Sequence, residues 1–598
     1  MKTYGLSNVE LTGGYLHEKQ ELNRNVTMKA VYDFFKESGR IGAFKCDYKD
    51  GDPIEPHFYW DSDVAKWMEG AAYVLEKHPD PELEAKVDAL VDDIAAGQGE
   101  DGYFNIYFTV VKPEDRFTDR DRHELYCAGH LMEAAVAYAA STGKTKFLDC
   151  MEKYADYIYQ VFVVDKSAKF FSPGHEEIEL ALVKMFRFTG KRKYLDLAAH
   201  FINIRGAVED QMNDKQVQSH LPVREQTEAV GHSVRAVYLY TGMAYVAKET
   251  GDETLLAACK TLYNDIVKRK MYVTGGLGST YIGEAFSVPY DLPNDHAYTE
   301  TCAGIGMIFF MNGMLAMENR AEYADVIERE LYNGVLSGLS ADGKRFFYEN
   351  PLEINMTEHY KAFDGKVRRF PRALRPASFG CSCCPPNTNR LLASLNSYLY
   401  GVDGDTLYVN QFAESTLTDG DITCTVNTDY PRGNTVTVKA SGIPEIAVRI
   451  PGWCGSFTLN KPYTMQNGYA VIKNDGEPVT LTLDMTPAVV YADPRVLRDA
   501  GKVCVRRGPV IYCAETVDND DNLHGYAIPH GFDCSITDGA FGLPELDVSC
   551  FRLLPFEDTL YSSEPPVAEP ATLHMIPYNS FANRSEEETS MVVWFPAR

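Results

Sequence analysis

The sequence is short of positive charge, of long apolar runs and of cysteine at disulfide-scaffold density, and each shortage excludes a class of protein. Lysine and arginine number 58 against 85 aspartates and glutamates, leaving a formal charge of −27. Nucleic acids and anionic membranes need local positive charge, so neither is an expected partner, and a neutral small molecule fits better. No stretch reaches the roughly 18 apolar residues of a membrane span, and the opening Met1–Tyr15 segment lacks the apolar centre of a secretion signal. Fourteen cysteines in 598 residues are too sparse for a disulfide scaffold. The expected compartment is the reducing cytoplasm, where thiols stay free to bind metal or attack a substrate.

What is present points to a large core. Hydrophobic residues at 45% and charged residues at 24% are ordinary globular values, which exclude global disorder. Up to about residue 400 the apolar residues recur at helical spacing. Val64, Trp67, Met68, Ala71, Ala72 and Leu75 share one face, for example. Helical segments are expected to begin near residues 25, 63, 80, 122, 144, 175, 191, 229, 252, 298, 319 and 386. Short Thr-Gly turns alternate with long loops rich in glycine and aromatics, so neighbours pair antiparallel and the loops gather at one end. Twelve paired helices predict an (α/α)6 barrel over residues 1–400, with the inner helices lining a central pocket.

Beyond residue 400 the period changes to two. Segments such as Thr406–Phe412, Ile422–Val426, Glu445–Ile450 and Pro478–Leu483 alternate like half-buried strands between Gly, Asp and Asn turns. They predict a β-sandwich over 401–504 and a second over 505–598, giving a multidomain α plus β chain.

The strongest local signal is Cys381-Ser-Cys383-Cys384-Pro-Pro-Asn387. Two prolines cannot sit inside a helix, so the thiols are expected on a stiff turn before a helix at about 387–400, with Pro386 at its first position. A helix N-terminus favours thiolate over thiol. Three buried thiols beside a turn would be the bland alternative. Zinc prefers four ligands, and the cluster supplies two or three. Glu300-Thr-Cys302 is the candidate partner, although an E-x-C pattern alone is weak. Upstream lies a long loop, Gly275–His296, in which Glu284 has Gly and aromatic neighbours that can raise a carboxyl pKa and suit it to proton transfer. Trp60, beside Asp61 and Asp63, could stack on a sugar or merely begin a helix. His130 reads as packing.

The runs GGLGST, GEAF, YDLPND, ETC and FGCSCCPPN, in that order, resemble glycoside hydrolase family 127, the β-L-arabinofuranosidases. Further matches around His123, Pro173–Leu180, Val230–Arg235 and Arg449–Trp453 carry the resemblance along most of the chain. It implies a helical barrel followed by two β-sandwiches, and a retaining mechanism with a zinc-bound cysteine nucleophile. By the same resemblance Glu300, Cys302, Cys383 and Cys384 would hold Zn²⁺. Cys383 would be the nucleophile and Glu284 the acid/base, while His123, His175, His232 and Tyr348 would bind the sugar. Cys381 receives no role. The resemblance further implies a homodimer through the C-terminal β-sandwich. Two other classes stay open on the sequence: a lyase or epimerase on the same scaffold with a purely structural cysteine cluster, and a non-catalytic sugar-binding protein.

Overall fold

A computed structural model describes residues 1–356 and 370–598. Each of the twelve expected segments carries a helix, and most begin within four residues of the expected start. The first is the exception: it begins at Gly14 and runs through a π-helical turn at Asn23–Thr27 into Met28–Glu37.

Burial separates two kinds of helix. Lys146–Tyr159 and Arg192–Ile204 bury one stripe and expose the other, the pattern of helices with one solvated face. Trp60–Lys77, Glu124–Thr142, Ser233–Thr250 and Thr301–Met317 are buried nearly all round, which requires neighbours on every side. The contacts supply those neighbours. Trp60–Lys77 packs on Glu124–Thr142, then come Ile178–Thr189, Ser233–Thr250, Thr301–Met317 and Cys384–Ala393, and the last returns to the first. Small residues allow the close approach. A Cβ on Gly129 would lie 2.8 Å from the Ile178 nitrogen, and one on Gly306 would lie 2.5 Å from Val237.

The interior of this ring is charged as well as apolar. Arg390, fully buried, donates to Glu69 at 2.8 Å, Glu133 at 2.6 Å, the Tyr238 hydroxyl at 3.0 Å and Asn387 at 2.6 Å. Lys184 reaches the same two glutamates. One guanidinium thus ties together four of the six helices, and four charge-assisted bonds to buried groups replace the water it has lost.

The expected helix at 387–400 starts earlier, at Cys384, and ends at Ala393 before a tight turn at Leu395–Tyr398. The first-turn N–H groups of a helix have no intrahelical acceptor, so Pro385 and Pro386 lose nothing there. The consequence matters for chemistry, because Cys383 becomes the N-cap and Cys384 the first helical residue.

Downstream the period-two segments form strands as expected. Thr435–Ser441 and Val479–Leu483 alternate buried and exposed residues and pair antiparallel. Two six-stranded sheets are built largely from residues 400–483, among the described residues, and each takes an edge strand from the N-terminus: Lys2–Thr3 in one, Val9–Gly13 in the other. A third sheet begins with Ala488–Tyr491 and includes Val510–Glu515 and Ala568–Pro577. Glu353–Ile354, from the helical region, pairs with Met591–Val592 and joins it too. Among the described residues no helix is long and apolar enough to cross a membrane.

Replacing Arg390 by leucine takes the guanidinium from Glu69 and Glu133, leaving them Lys184 and, on Glu69, the Tyr73 hydroxyl. The expected loss is about 3–5 kcal/mol, read as an earlier midpoint in chemical denaturation; an unchanged midpoint would show that the buried network contributes nothing.

Candidate active site and metal centre

The six inner helices bring their N-terminal ends to one cavity of about 130 Å³. Its wall is made of caps and first turns. Ser62 and Asp63 open Trp60–Lys77, His123 caps Glu124–Thr142, and His232 caps Ser233–Thr250. Glu300 and Cys302 begin Thr301–Met317, and Cys383 caps Cys384–Ala393. His175 lies three residues before Ile178–Thr189. The expected residues Glu284, Glu300, Cys302, Cys383, His123, His175, His232 and Tyr348 all line this one space, and Cys384 stands directly behind it.

Four donor atoms converge at its base. The Cys302 and Cys384 sulfurs are 3.3 Å apart, and Cys383 and Cys384 are 3.8 Å apart. Glu300 Oε1 is 3.8 Å from the sulfurs of both Cys383 and Cys384. All cysteines are free thiols. A tetrahedral zinc, with bonds of about 2.3 Å to sulfur and about 2.0 Å to oxygen, requires donors roughly 3.5–3.8 Å apart. The set therefore fits such an ion, and two further features agree. Among the described residues Glu300 Oε2 is buried without a hydrogen-bond partner. Burial, Cys383 and Glu284 push the Glu300 carboxyl well above its ordinary range, and burial with the neighbouring thiols does the same for Cys384. Cys302 is lowered to about 6: burial opposes this, and the hydrogen bonds of Cys383 and Cys384 overcome it. These acids cannot all ionise together without a cation among them.

Glu284 stands at the rim on a backbone turn with φ of 55°, a left-handed conformation unusual for a side-chain-bearing residue. Its Oε1 accepts from the Tyr298 hydroxyl at 2.7 Å and its Oε2 meets His232 Nε2 at 2.7 Å. His232 Nδ1 accepts the Val234 amide as a helix cap, so the ring proton is on Nε2 and is donated to Glu284. Burial raises the Glu284 pKa, but His232, Tyr298 and Arg235 outweigh it and hold the carboxyl at about 2. At rest Glu284 is a carboxylate. The other histidines are oriented by carbonyls: His123 Nδ1 lies 2.6 Å from Asp121 and His175 Nδ1 3.0 Å from Glu176. Tyr348 takes a 3.4 Å contact from the Cys383 thiol.

Some wall residues were not expected. Phe58, Tyr59, Ser62 and Asp63 supply the side of the cavity formed by the segment before and into Trp60–Lys77. The aromatic run ahead of a helix start was the available signal. Trp60 packs instead under the Arg40 guanidinium, 4.8 Å away, and Arg40 in turn holds Asp63 at 3.0 Å. His130 is packing, fully buried with Glu177 at 3.1 Å. Cys381 lies at the seam with an outer cavity of about 510 Å³, which shares Glu284, Tyr348 and Cys381 with the inner one and adds Phe347, Phe370 and Phe379.

Comparison with known proteins decides the kinship. A profile for the β-L-arabinofuranosidase GH127 catalytic domain matches residues 8–397, and one for the glycoside hydrolase family 127 C-terminal domain matches 487–596. The chain belongs to glycoside hydrolase family 127. A non-reducing end β-L-arabinofuranosidase of Bifidobacterium longum subsp. longum is 39% identical, over 88% of this chain and 87% of that protein. The crystal structure of a GH127 β-L-arabinofuranosidase from Geobacillus stearothermophilus T6 is 38% identical and superposes with a TM-score of 0.92, covering 99% of this chain and 100% of the other. A GH127 β-arabinofuranosidase structure at 33% identity gives 0.89, over 100% of this chain and 98% of the other. This family 127 member is a glycoside hydrolase, and its helices and sheets match those structures over nearly their whole length.

The donor set gives a direct check. The purified chain is expected to hold about one metal ion by elemental analysis, and Glu300→Gln or Cys384→Ser to hold much less. Equal metal content in the variants would contradict the site.

Proposed function

We propose that this family 127 hydrolase is a retaining exo-glycosidase that releases non-reducing terminal β-L-arabinofuranose, or a close furanoside, with a zinc-bound Cys383 thiolate as nucleophile. It would work on an (α/α)6 barrel (1–400) carrying two β-sandwiches (401–504 and 505–598). One observation carries the reading: Cys383 and Glu284 line the same small cavity, and the Cys383 sulfur belongs to a cluster of four donors that all lie within 4.8 Å of one another. The activity named for the Bifidobacterium relative supplies the substrate class. A volume of about 130 Å³ has room for one small ring rather than a chain of sugars, which suits attack on a terminal residue.

Bound Zn²⁺ would keep the thiols deprotonated at neutral pH and fix their positions. The residues of the chain do the rest. His123, His175, His232 and Tyr348 hold the sugar hydroxyls so that the anomeric carbon faces Cys383. The thiolate forms a C–S bond as the glycosidic C–O bond breaks, and Glu284 delivers a proton to the departing oxygen. The aromatic outer cavity receives the leaving group. In the second step Glu284 takes a proton from water, whose oxygen displaces the sulfur. Two displacements at one carbon return the original configuration.

Glu284 begins as a carboxylate, so the first step needs a proton brought to it. Burial is already the largest influence on its pKa and acts upward. A sugar closing the cavity removes more water and adds to that influence. A reducing cytoplasm, which keeps Cys302, Cys383 and Cys384 as thiols, belongs to the same reading, as does a homodimer through 505–598.

With p-nitrophenyl β-L-arabinofuranoside, Cys383→Ser is expected to lose turnover by on the order of a thousandfold or more; full activity in this variant would leave the cluster a structural role only. Tyr298→Phe removes a hydrogen bond to the Glu284 carboxylate, so its pKa rises. Because the first step uses Glu284 protonated in the substrate complex, kcat falls as pH climbs past its pKa there, and the variant's alkaline limb of kcat moves to higher pH. A limb that stays in place would contradict the assignment of Glu284.

A further inference from the structure

A cavity of about 380 Å³ lies where three parts of the chain meet, and it shares no lining residue with the two cavities of the active site. The helix Ala321–Arg329 supplies Asp325, Glu328 and Arg329. The turn after the strand Glu445–Arg449 supplies Trp453, and the third sheet supplies Arg506 from its strand Lys502–Arg507.

Both carboxylates are already committed. Asp325 takes the Arg449 guanidinium on Oδ1 at 2.6 Å and the Gly452 N–H on Oδ2 at 3.0 Å. Glu328 accepts from Arg449 and from the Tyr430 hydroxyl on Oε1, both at 2.6 Å, and from the Trp453 indole N–H on Oε2 at 2.9 Å. The two arginines of the cavity are free by comparison. Neither forms an ion pair among the described residues: Arg506 gives one N–H to the Trp453 carbonyl at 2.8 Å, and Arg329 meets the Met271 sulfur at 3.8 Å. Burial lowers the Arg506 pKa, Cys504 opposes this, and the Arg329 charge lowers it further. Counting Arg449, three guanidiniums meet two carboxylates, so one positive charge has no counter-charge here.

Two like charges brought together from the helical region and the third sheet raise the energy of the junction. An anion between them would replace that repulsion by two charge-assisted contacts. Much of the remaining wall is apolar, with Val273, Val490, Ile511 and the Trp453 ring. A bare inorganic ion would leave that wall unused, whereas an organic body would cover it. The volume falls in the range of roughly 300–1,000 Å³ usual for small-molecule sites.

We propose that this junction binds a small organic anion, a carboxylate or phosphate carried on a sugar-sized body, with the charge between Arg329 and Arg506 and the body against the apolar wall. The inference depends neither on the zinc reading nor on the hydrolytic reaction. One guanidinium comes from each side, so the bound anion ties the helical region to the third sheet.

The test uses the full-length chain with D-glucuronate, D-glucose 6-phosphate and inorganic phosphate, each against sodium chloride at matched ionic strength. Binding is read by titration calorimetry and by thermal unfolding. At least one of the two organic anions is expected to bind and to raise the unfolding temperature, and which one does so separates carboxylate from phosphate. Arg329→Gln and Arg506→Gln are each expected to weaken that binding by about tenfold or more, with arabinofuranoside hydrolysis unchanged in Arg329→Gln. Arg329 is exposed, so its variant carries the test even if losing the Arg506–Trp453 bond unfolds the other. Binding of neither organic anion beyond the chloride control would overturn the inference. Inorganic phosphate binding as tightly as the organic anions would also overturn it, because the apolar wall would then play no part. So would binding that survives undiminished in Arg329→Gln, because the anion would then sit elsewhere.

Discussion

Six helix N-termini meet at one cavity, and most of the molecule is organised around the consequences. A helix N-terminus offers unpaired N–H groups and partial positive charge. Three of these ends carry the cavity's acids: Asp63 in the first turn of one, Glu300 and Cys302 at the start of the next, Cys383 and Cys384 at the last. Two others are capped by His123 and His232, which places their rings at the mouth. Convergence of this kind needs the helices held at fixed spacing. The glycine contacts and the Arg390–Glu69–Glu133 network deep in the ring provide that spacing.

The site itself is locally unfavourable. Among the described residues Glu300 has an orphaned oxygen and Lys66 an orphaned ammonium, and His123 and Glu284 occupy left-handed backbone. Each costs stability, and a core this extensive is what sustains them. Soft sulfur donors and one carboxylate suit zinc better than magnesium or calcium, whose sites are built from oxygen. In the proposed mechanism the Glu284–His232–Tyr298 arrangement would divide labour with the cluster: the sulfur would supply the electron pair and the carboxylate would handle the proton.

Periodicity made the helical and β regions legible, because a 3.6-residue pattern and a two-residue pattern cannot be confused over such lengths. The start of the Cys384–Ala393 helix was displaced, since two prolines look like a barrier to a helix although its first turn tolerates them. The edge strands Lys2–Thr3 and Val9–Gly13 pair with partners some 400 residues away, and no local pattern announces that. In the site, the motif-borne residues were legible through the family resemblance and are brought together by the fold. Tyr59 and Asp63 were not, because at the start of a helix that is buried all round a polar residue facing the pocket has the same spacing as one facing a neighbour.

The account turns on Cys383 as the atom that bonds to sugar. Acid-quenching the wild-type chain during turnover of an activated furanoside with a good leaving group, followed by peptide mass mapping, tests this directly. The account predicts a single pentosyl adduct on the peptide carrying Cys383, bound through sulfur and lost on further incubation. An adduct on a glutamate or aspartate, with Cys383 unmodified, would contradict it.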